Sequence, residues 1–438
     1  MKKFCPAILL LLFALAIPKG VFAQEDDQVS PEALSNAHSM HFTTAPRGHL
    51  NGQDHARFGL AGIDSIANWV KHFTVGGIDP SGNPQHIWYY SMVGNPPELG
   101  GTTVFNAPVV PVSLDLRKAD GTPRFVKVVN GITSDCGNPP EAGCHRLFYD
   151  VAPFIQPTIN SPVFQSSSYT SSDVPTQFAD AVQRAEFTDR MKRDWHTVLN
   201  PSVKATRTMV LIKGNYRFAL NADGSCCFFV LVDANTFVNE LFPSTFPFDN
   251  STPIGSAENA GDMTTKDIST FLFPNTFLYT QHNPSHCCIV GFHSLDLEPG
   301  IPSNGNLERL YVVNYSSWVS PGIFGGGFQD VTALSHEMSE TFNDPFVGAD
   351  GIHNVTPFWL APNGNCQDNL EVGDVIEGLP RDVFPINLNG MTYHPQNEAL
   401  LQWFEFQSPS SALDGAYSYP DTTTLTALSP PQNFACKP

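Results

Sequence analysis

Two pairs of adjacent cysteines constrain the fold of this chain more than any other feature of its sequence. Cys226-Cys227 and Cys287-Cys288 each lie at the edge of a strand-like run, and consecutive residues of a strand point to opposite faces of a sheet. The two pairs could therefore bond to each other across neighbouring strands. Alternatively, their sulfurs could bond separately to Cys366 and Cys436. The sequence leaves both arrangements open.

The first 23 residues predict export from the cytoplasm. Lys2 and Lys3 supply a positive start, residues 7–17 form an unbroken apolar run, and Val21-Phe22-Ala23 fits a small-x-small cleavage site. An apolar run of about 11 residues is too short to cross a bilayer, and no later stretch is long and apolar enough to do so. We therefore expect a signal peptide at 1–23 and a secreted or periplasmic protein without membrane insertion.

The cysteine count agrees with an oxidising compartment. Cys5 lies in the signal segment, which leaves eight of the nine cysteines. An even number in an exported chain favours disulfides. Cys136 and Cys144 bracket a short Gly/Pro loop and form the simplest pair to predict. Cysteine ligands for a metal are the alternative, and the oxidising compartment disfavours them.

The chain is strongly acidic but rich in apolar side chains. It has 42 Asp and Glu against 23 Lys and Arg, a net charge of −19, and loss of three lysines with the signal leaves −22. Such a charge argues against nucleic acid and anionic membranes as partners. Only 15% of the residues are charged, and 33 are Phe, so the chain can bury a large core.

Composition divides the mature chain into three regions. Residues 24–65 are polar and weakly patterned and predict a loose N-terminal extension. Residues 66–165 predict a β-rich N-terminal region. Ser, Thr and Pro are concentrated at 157–175, which marks a candidate boundary. Beyond it we expect a C-terminal domain at 176–438 that ends in an irregular tail.

Periodicity predicts the secondary structure of these regions. Residues 109–116 alternate apolar and polar side chains and, with 124–129, predict a β-hairpin. Helical spacing predicts one helix at 177–199 and a shorter one at 234–241. The remaining strand candidates are 208–212, 216–220, 227–232, 271–279, 288–293 and 310–314.

One predicted helix of the C-terminal region concentrates chemically active side chains. It begins near Asp330, a good N-cap, and ends at Pro345, a good helix stop. Its apolar residues recur at helical spacing and form one stripe: Val331, Leu334, Met338 and Phe342. At about 100° per residue, His336 and Glu340 fall on the opposite side, one turn apart.

This spacing is the one that a zinc hydrolase requires. His336 and Glu340, at i and i+4, can hold one ion from a single helix. Glu337 can then act as general base toward a water molecule whose pKa the metal lowers, and Asp344 can support the site as an outer carboxylate. The familiar pattern is His-Glu-x-x-His. Because Glu340 replaces the second histidine, calcium in an oxygen-rich site is the alternative to zinc.

A further metal ligand must come from outside the helix. The acidic turn at 371–378 is the best source, through either Asp374 or Glu377. Oxygen atoms that bind zinc lie near 2 Å from the ion, so this turn must pack within about 10 Å of His336. His353 and His394 are further candidates, although surface or hydrogen-bonding roles are the simpler interpretation for both.

Two other interpretations use residues of the same region. His293 could form half of a Ser/His pair with Ser294, but it more simply closes a buried strand beside the helix and supports the site. Carboxylates of the helix and the acidic turn could also form a glycosidase pair. The adjacent histidine favours a metal instead.

The motifs of residues 291–403 resemble those of a group of secreted bacterial proteins and are distantly similar to the plant Exordium (phosphate-induced) family. The matching segments are Gly291-Phe292-His293, Ser335-His336-Glu337 with Glu340, Asp344-Pro345, Gly373-Asp374 with Glu377, and Leu400-Leu401-Gln402-Trp403. The resemblance implies an extracellular protein with a zincin-like α/β core, which makes the expected domain at 176–438 a zincin-like domain. It also implies a site of His336, Glu337, Glu340, Asp374 and Glu377.

We expect one fold and one function from these features. The fold is α+β, β-rich, with a zincin-like active-site helix in the C-terminal half. The function is that of a secreted, metallopeptidase-like, metal-dependent hydrolase that acts on extracellular protein or peptide. Zinc is the expected metal, held by His336, Glu340 and one of Asp374 or Glu377, with Glu337 as the base. The alternative is a non-catalytic extracellular binding or cell-envelope protein that calcium stabilises.

Overall fold

Strands dominate the part of the chain that the computed structural model describes. That part comprises residues 27–34, 63–76, 85–137, 139–171, 173–243, 250–325, 327–347, 359–367 and 370–428. The predicted signal peptide and most of the predicted N-terminal extension lie outside these ranges. Three residues of the sequence argument also lie outside them: Cys5, His353 and Cys436.

The described helices are short. They are α1 (Ala152–Ile159), α2 (Phe178–Glu186), α3 (Ala234–Leu241), α4 (Pro253–Asn259), α5 (Thr332–Asn343) and α6 (Leu401–Phe404). Single turns of 3-10 helix occur at Pro31–Leu34, Pro302–Asn304 and Leu413–Gly415.

The described strands are, in chain order, β1 (Ile63–Asp64), β2 (Asn68–Gly76), β3 (Gln85–Val93), β4 (Thr102–Arg117), β5 (Phe125–Val129), β6 (Ile132–Asp135), β7 (His145–Arg146), β8 (Phe148–Tyr149), β9 (His196–Val203), β10 (Arg207–Ile212), β11 (Tyr216–Leu220), β12 (Cys226–Asp233), β13 (Ile268–Pro274), β14 (Thr276–Tyr279), β15 (Cys287–Ile289), β16 (Gly291–Glu298), β17 (Glu308–Trp318), β18 (Trp359–Leu360), β19 (Cys366–Gln367), β20 (Ile386–Leu388), β21 (Met391–Tyr393), β22 (Glu398–Ala399) and β23 (Ser418–Tyr419).

The largest sheet has eight strands and is mostly parallel. Its path runs β1-β17-β13-β4-β10, with β16 beside β17 and with β8 and β9 beside β4. Parallel sheets are buried on both faces, so their strands are continuous apolar runs. β17 shows this directly, because all of its residues except Glu308 are buried. The antiparallel strand β16 extends the sheet beyond β17 and brings His293 opposite Asn314.

The predicted hairpin is wrong in its pairing. Strands β4 and β5 cover both predicted arms, but β5 pairs with β6 and β7. The turn after β4 closes one bridge only, between Arg117 and Pro123. One edge of β4 is occupied by β9 and β10, and the other by β13 and β8. Because other strands already occupy both edges of β4, no edge is left for a local hairpin.

The predicted helix at 177–199 is too long. Helix α2 ends at Glu186, and residues His196–Val203 form β9, which pairs in parallel with β4 along its whole length. These residues form a strand because pairing with β4 stabilises them more than their local helical pattern does.

The other predicted elements are present with small changes. The helix predicted at 234–241 is α3, and the strand candidates at 208–212, 216–220, 227–232 and 310–314 lie within β10, β11, β12 and β17. The candidates at 271–279 and 288–293 are each divided between strands of two different sheets. The α+β, β-rich class is therefore confirmed.

The central sheet draws strands from both sides of the Ser/Thr/Pro segment at 157–175. Strand β4 precedes this segment, whereas β9, β10, β13 and β17 follow it. Helix α1 already covers residues 152–159, so the irregular part begins later than predicted. The domain boundaries themselves stay predictions.

Both cysteine doublets lie in a second sheet of order β11-β12-β14-β15. Each doublet closes a disulfide within itself, Cys226–Cys227 in β12 and Cys287–Cys288 in β15. Both pairings considered from the sequence are therefore wrong. Strand β14 separates β12 from β15, so the doublets are not on neighbouring strands. The predicted pair Cys136–Cys144 is confirmed, and Cys366 is also disulfide-bonded.

Helix α5 carries its predicted apolar stripe into the main hydrophobic core. Val331, Leu334, Met338 and Phe342 are at most 1% exposed and pack in one cluster with residues of β13 and β17. The helix ends at Asn343, before Pro345, as predicted. All twelve residues of α5 are buried, so its polar side also faces protein, and the helix as a whole contacts β16, β17, β3 and α2.

Asp330 is not the N-cap that the sequence predicts. Val331 occupies that position without a side-chain cap. Asp330 Oδ1 instead accepts from the backbone N–H groups of Val331 and His394, and Oδ2 lies 2.7 Å from His394 Nδ1. The carboxylate thus ties the loop of His394 to the start of the helix, which confirms the hydrogen-bonding interpretation of His394.

In the described ranges, we find no helix with the length and hydropathy that crossing a membrane requires.

The buried carboxyl group of Glu186 should make the free energy of unfolding depend on pH. Its Oε1 accepts from Asn343 Nδ2 and from the Leu401 N–H, which joins α2 to the ends of α5 and α6. Burial raises its pKa to about 8, with Leu401 and Asn343 opposing this shift. The folded protein therefore binds one more proton than the unfolded chain between about pH 4.5 and 8. This group lowers the free energy of unfolding by about 1.4 kcal/mol per pH unit as pH rises through that range.

Glu186→Gln should remove this contribution, because glutamine does not ionise. Urea denaturation of wild type and variant between pH 5 and 8 measures the difference, with Glu141→Gln on the exposed surface as control. Parallel pH profiles for wild type and Glu186→Gln would contradict the assignment.

Candidate metal centre

The polar side of α5 faces strand β16 and the acidic turn at 371–378. His336, Glu337 and Glu340 are all buried, with His336 the most exposed at 8%. His293 enters from β16, and Glu371 and Asp374 enter from the turn, each no more than 3% exposed. The sheet, the helix and the turn therefore enclose one cluster of imidazoles and carboxylates.

His336 lies between two carboxylates and an amide. Its Nε2 is 3.1 Å from Glu340 Oε1 and 3.4 Å from Asp374 Oδ1. Its Nδ1 is 3.2 Å from Gln396 Oε1. Because Gln396 Nε2 donates to the Gly373 carbonyl, the amide oxygen of Gln396 accepts from Nδ1. This arrangement fixes the ring and leaves Nε2 facing the carboxylates, which is the usual support of a metal-binding histidine.

Glu340 presents its two oxygens to two different histidines. Oε1 faces His336 and also accepts from the N–H groups of Gly373 and Asp374, at 3.1 and 3.4 Å. Oε2 lies 3.2 Å from His293 Nδ1. The side chain that departs from the His-Glu-x-x-His pattern therefore lies at the centre of the cluster.

Two glycines permit these close approaches. A Cβ on Gly373 would lie 2.6 Å from His336 Cγ, and a Cβ on Gly291 would lie 2.5 Å from Glu337 Oε1. Neither distance is compatible with a real side chain. The turn and the strand β16 can therefore contact the polar side of α5 only because glycine occupies these two positions.

A second group of donors adjoins the first. His293 Nδ1 lies 3.7 Å from Glu337 Oε2 and 3.8 Å from Glu371 Oε2. His293, Glu371 and Asp344 offer three ligand atoms that all lie within 4.8 Å of one another. Asp344 is fully buried and follows the last residue of α5. His293 is therefore part of the cluster, and not only a support behind it.

The structure separates the two acidic candidates of the turn. Asp374 lies beside His336, well inside the 10 Å that the sequence argument requires. Glu377 is buried one turn further on, and its carboxylate belongs to none of the compact donor groups among the described residues. Its backbone carbonyl accepts from Asn363. Asp374 is the better placed of the two as a third ligand.

Three residues of the cluster escape simple sequence reasoning. Glu371 lies in the acidic turn, two residues before the Gly373-Asp374 pair, but the sequence predicts only Asp374 and Glu377 as candidate ligands. Gln396 and Glu398 lie in the polar run His394-Pro395-Gln396-Asn397-Glu398, which has no metal-binding spacing of its own. No local pattern therefore marks either residue as part of the site.

The pKa values of both histidines are raised by the carboxylates around them. Burial lowers the pKa of His336, but the charges of Glu340 and Glu337 outweigh burial and raise it well above its ordinary value. Burial also lowers the pKa of His293, and Glu371 together with the helix carboxylates raises it well above its ordinary value. Both imidazoles are therefore matched to anionic neighbours.

The carboxylates divide into two kinds. Burial raises the pKa of Glu337 to about 7, although His336 acts in the opposite direction. Burial opposes the ionisation of Glu340, but the attraction of His336 and of the other histidine outweighs this effect and lowers the pKa of Glu340 to about 2. Burial raises the pKa of Glu371 and Glu398 well above their ordinary value. Glu340 thus stays ionised among carboxylates that need protons or a cation to balance their charge.

Two donor–donor distances in the cluster match the spacing of ligands around one tetrahedral metal ion. Two ligands bound at about 2.0–2.1 Å to one tetrahedral zinc lie about 3.3 Å apart. His336 Nε2 is 3.1 Å from Glu340 Oε1 and 3.4 Å from Asp374 Oδ1. One nitrogen and two carboxylate oxygens also form the donor set of catalytic zinc sites more nearly than that of a closed structural site.

Comparisons with protein-family models, with curated proteins and with solved structures give no match for this chain. They neither support nor contradict the resemblance to secreted bacterial proteins and to the Exordium family.

The close approach at Gly373 gives a steric prediction. Gly373→Ala forces the His336 ring or the turn to move, so we expect a loss of about 1–3 kcal/mol in the free energy of unfolding. Gly137→Ala is the control, because its Cβ would meet nothing closer than 3.9 Å, and we expect a change within about 0.5 kcal/mol. Chemical denaturation measures both. Equal stability of the two variants would contradict the steric account.

Proposed function

We propose that this chain is a secreted or periplasmic, metal-dependent hydrolase of the metallopeptidase type, with a zincin-like active-site helix. The observation that carries the proposal is the convergence of His336 Nε2, Glu340 Oε1 and Asp374 Oδ1 at 3.1 and 3.4 Å. The disulfides are compatible with an extracellular location. The resemblance to the Exordium family belongs to the same proposal, as does an extracellular protein or peptide as substrate.

In this proposal His336, Glu340 and Asp374 hold the metal ion, and zinc is the ion that their spacing favours. A bound zinc ion supplies Lewis-acid polarisation of a substrate carbonyl and lowers the pKa of a water molecule. Gln396 keeps the His336 ring in place through Nδ1. The N–H groups of Gly373 and Asp374 hold the Glu340 carboxylate in position.

Glu337 is the general base of the proposed reaction. It follows His336 directly on α5, and its carboxylate lies 3.7 Å from His293 Nδ1. A base in this position takes a proton from the attacking water and delivers it to the leaving amine. His293 lies close enough to balance the charge of Glu337 while the proton is transferred. Glu377 stays outside this machinery.

The test combines metal content with hydrolysis. Wild type should contain about one or more zinc ions per chain by elemental analysis and cleave members of a peptide library, followed by mass spectrometry. Glu337→Gln should keep its zinc and lose about 10²–10⁴-fold in kcat. His336→Ala should lose both zinc and activity, whereas His282→Ala on the surface should change neither.

Two outcomes would contradict the hydrolase. One is cleavage by Glu337→Gln at the wild-type rate, since no other residue is assigned as the base. The other is a zinc-loaded wild-type protein that cleaves no peptide in the library.

A non-catalytic extracellular binding or cell-envelope protein is the second candidate. The observation in its favour is the excess of carboxylate oxygens over imidazoles in the cluster, because oxygen-rich sites suit calcium. This candidate predicts that a calcium chelator lowers the melting temperature by several degrees, that added calcium restores it, and that no substrate is turned over. Unchanged melting in chelator, measured by calorimetry, would contradict it.

A further inference from the structure

The cluster around α5 has more ligands than a single metal ion uses. Five carboxylates belong to its compact donor groups together with the two imidazoles: Glu337, Glu340, Asp344, Glu371 and Asp374. One ion on His336, Glu340 and Asp374 does not use His293, Asp344 or Glu371. Those three offer atoms within 4.8 Å of one another, which is a second complete set of donors.

Glu340 connects the two sets. Its Oε1 lies 3.1 Å from His336 Nε2, and its Oε2 lies 3.2 Å from His293 Nδ1. A carboxylate that turns one oxygen to each of two histidines has the arrangement of a bridging ligand. In two-metal hydrolase sites the ions lie about 3.5–4 Å apart, a separation that one carboxylate can span.

We infer that the centre holds two divalent cations side by side, the first on His336, Glu340 and Asp374 and the second on His293, Glu371 and Asp344, with Glu340 bridging them. This inference rests on the proposed function for the first ion and adds a second ion to the same centre. It places the protein among hydrolases whose two ions together stabilise the attacking and the leaving atoms.

The charge of the cluster agrees with two ions. If metal binding displaces the protons from the two imidazoles and the five carboxylates, the cluster carries five negative charges, and one divalent ion neutralises two of them. A second ion neutralises two more inside a buried region, where uncompensated like charges are costly. Mixed imidazole and carboxylate donors suit zinc, manganese and iron, so Mn²⁺ is a suitable spectroscopic probe.

A separate group of acids must be distinguished in the test. Glu258, Asp296 and Glu298 are buried and lie within 4.8 Å of one another, with Arg309 beside Glu298. They lie on α4 and the far part of β16. A second ion bound there would raise the metal count without any bridge.

The experiment measures Mn²⁺ stoichiometry and the electron paramagnetic resonance spectrum of the full-length protein after removal of its metals. Two Mn²⁺ per chain with the exchange-coupled multiline spectrum of bridged ions are expected. Glu340→Gln should abolish the coupling, and His293→Gln and His336→Gln should each lower the count from two to one. Glu258→Gln is the matched buried control and should keep two coupled ions. Circular dichroism identifies any variant that does not fold, and the wild-type spectrum is decisive without the variants.

The other outcomes separate this inference from the proposed function. One uncoupled Mn²⁺ that is lost in His336→Gln but kept in His293→Gln would overturn the second ion and leave the hydrolase site intact. Two uncoupled ions, one of them lost in Glu258→Gln, would also overturn the bridge. No bound Mn²⁺ and no other metal in the wild-type protein would overturn both proposals.

Discussion

The carboxylate of Glu340 lies between two buried imidazoles, 3.1 Å from His336 Nε2 and 3.2 Å from His293 Nδ1. Taking such charges out of water costs several kcal/mol for each ion unless partners with good geometry replace the solvent. The fold supplies those partners from three directions. Helix α5 gives Glu340 and His336, strand β16 gives His293, and the turn at 371–378 gives the N–H groups of Gly373 and Asp374.

This arrangement requires close packing of backbone against side chain. Gly291 allows β16 to approach Glu337, and Gly373 allows the turn to approach the His336 ring. The apolar stripe of α5 holds the helix on the central sheet from the other side. The same helix therefore contributes to the core and to the polar cluster. A change in how it packs on the sheet would alter both.

Local pattern predicted much of this from sequence. The stripe of α5, its end before Pro345, the strand pattern after residue 205 and the pair Cys136–Cys144 all depend on residues close together in the chain. The errors are non-local. The hairpin of β4 and the length of α2 were decided by pairing in a sheet of distant strands, and the cysteine doublets closed within themselves. At the site, the His336–Glu340 spacing predicted one side of the cluster, whereas Glu371, Gln396 and Glu398 come together only through the tertiary fold.

Metal binding by the cluster around Glu340 is tested most directly by diffraction data from crystals of the purified protein, collected on both sides of the zinc absorption edge. We expect an anomalous difference peak about 2 Å from His336 Nε2, Glu340 Oε1 and Asp374 Oδ1. A water molecule or an empty space at that position, in crystals grown with zinc and without chelator, would contradict it and leave α5 as a structural helix with a protonated acidic cluster.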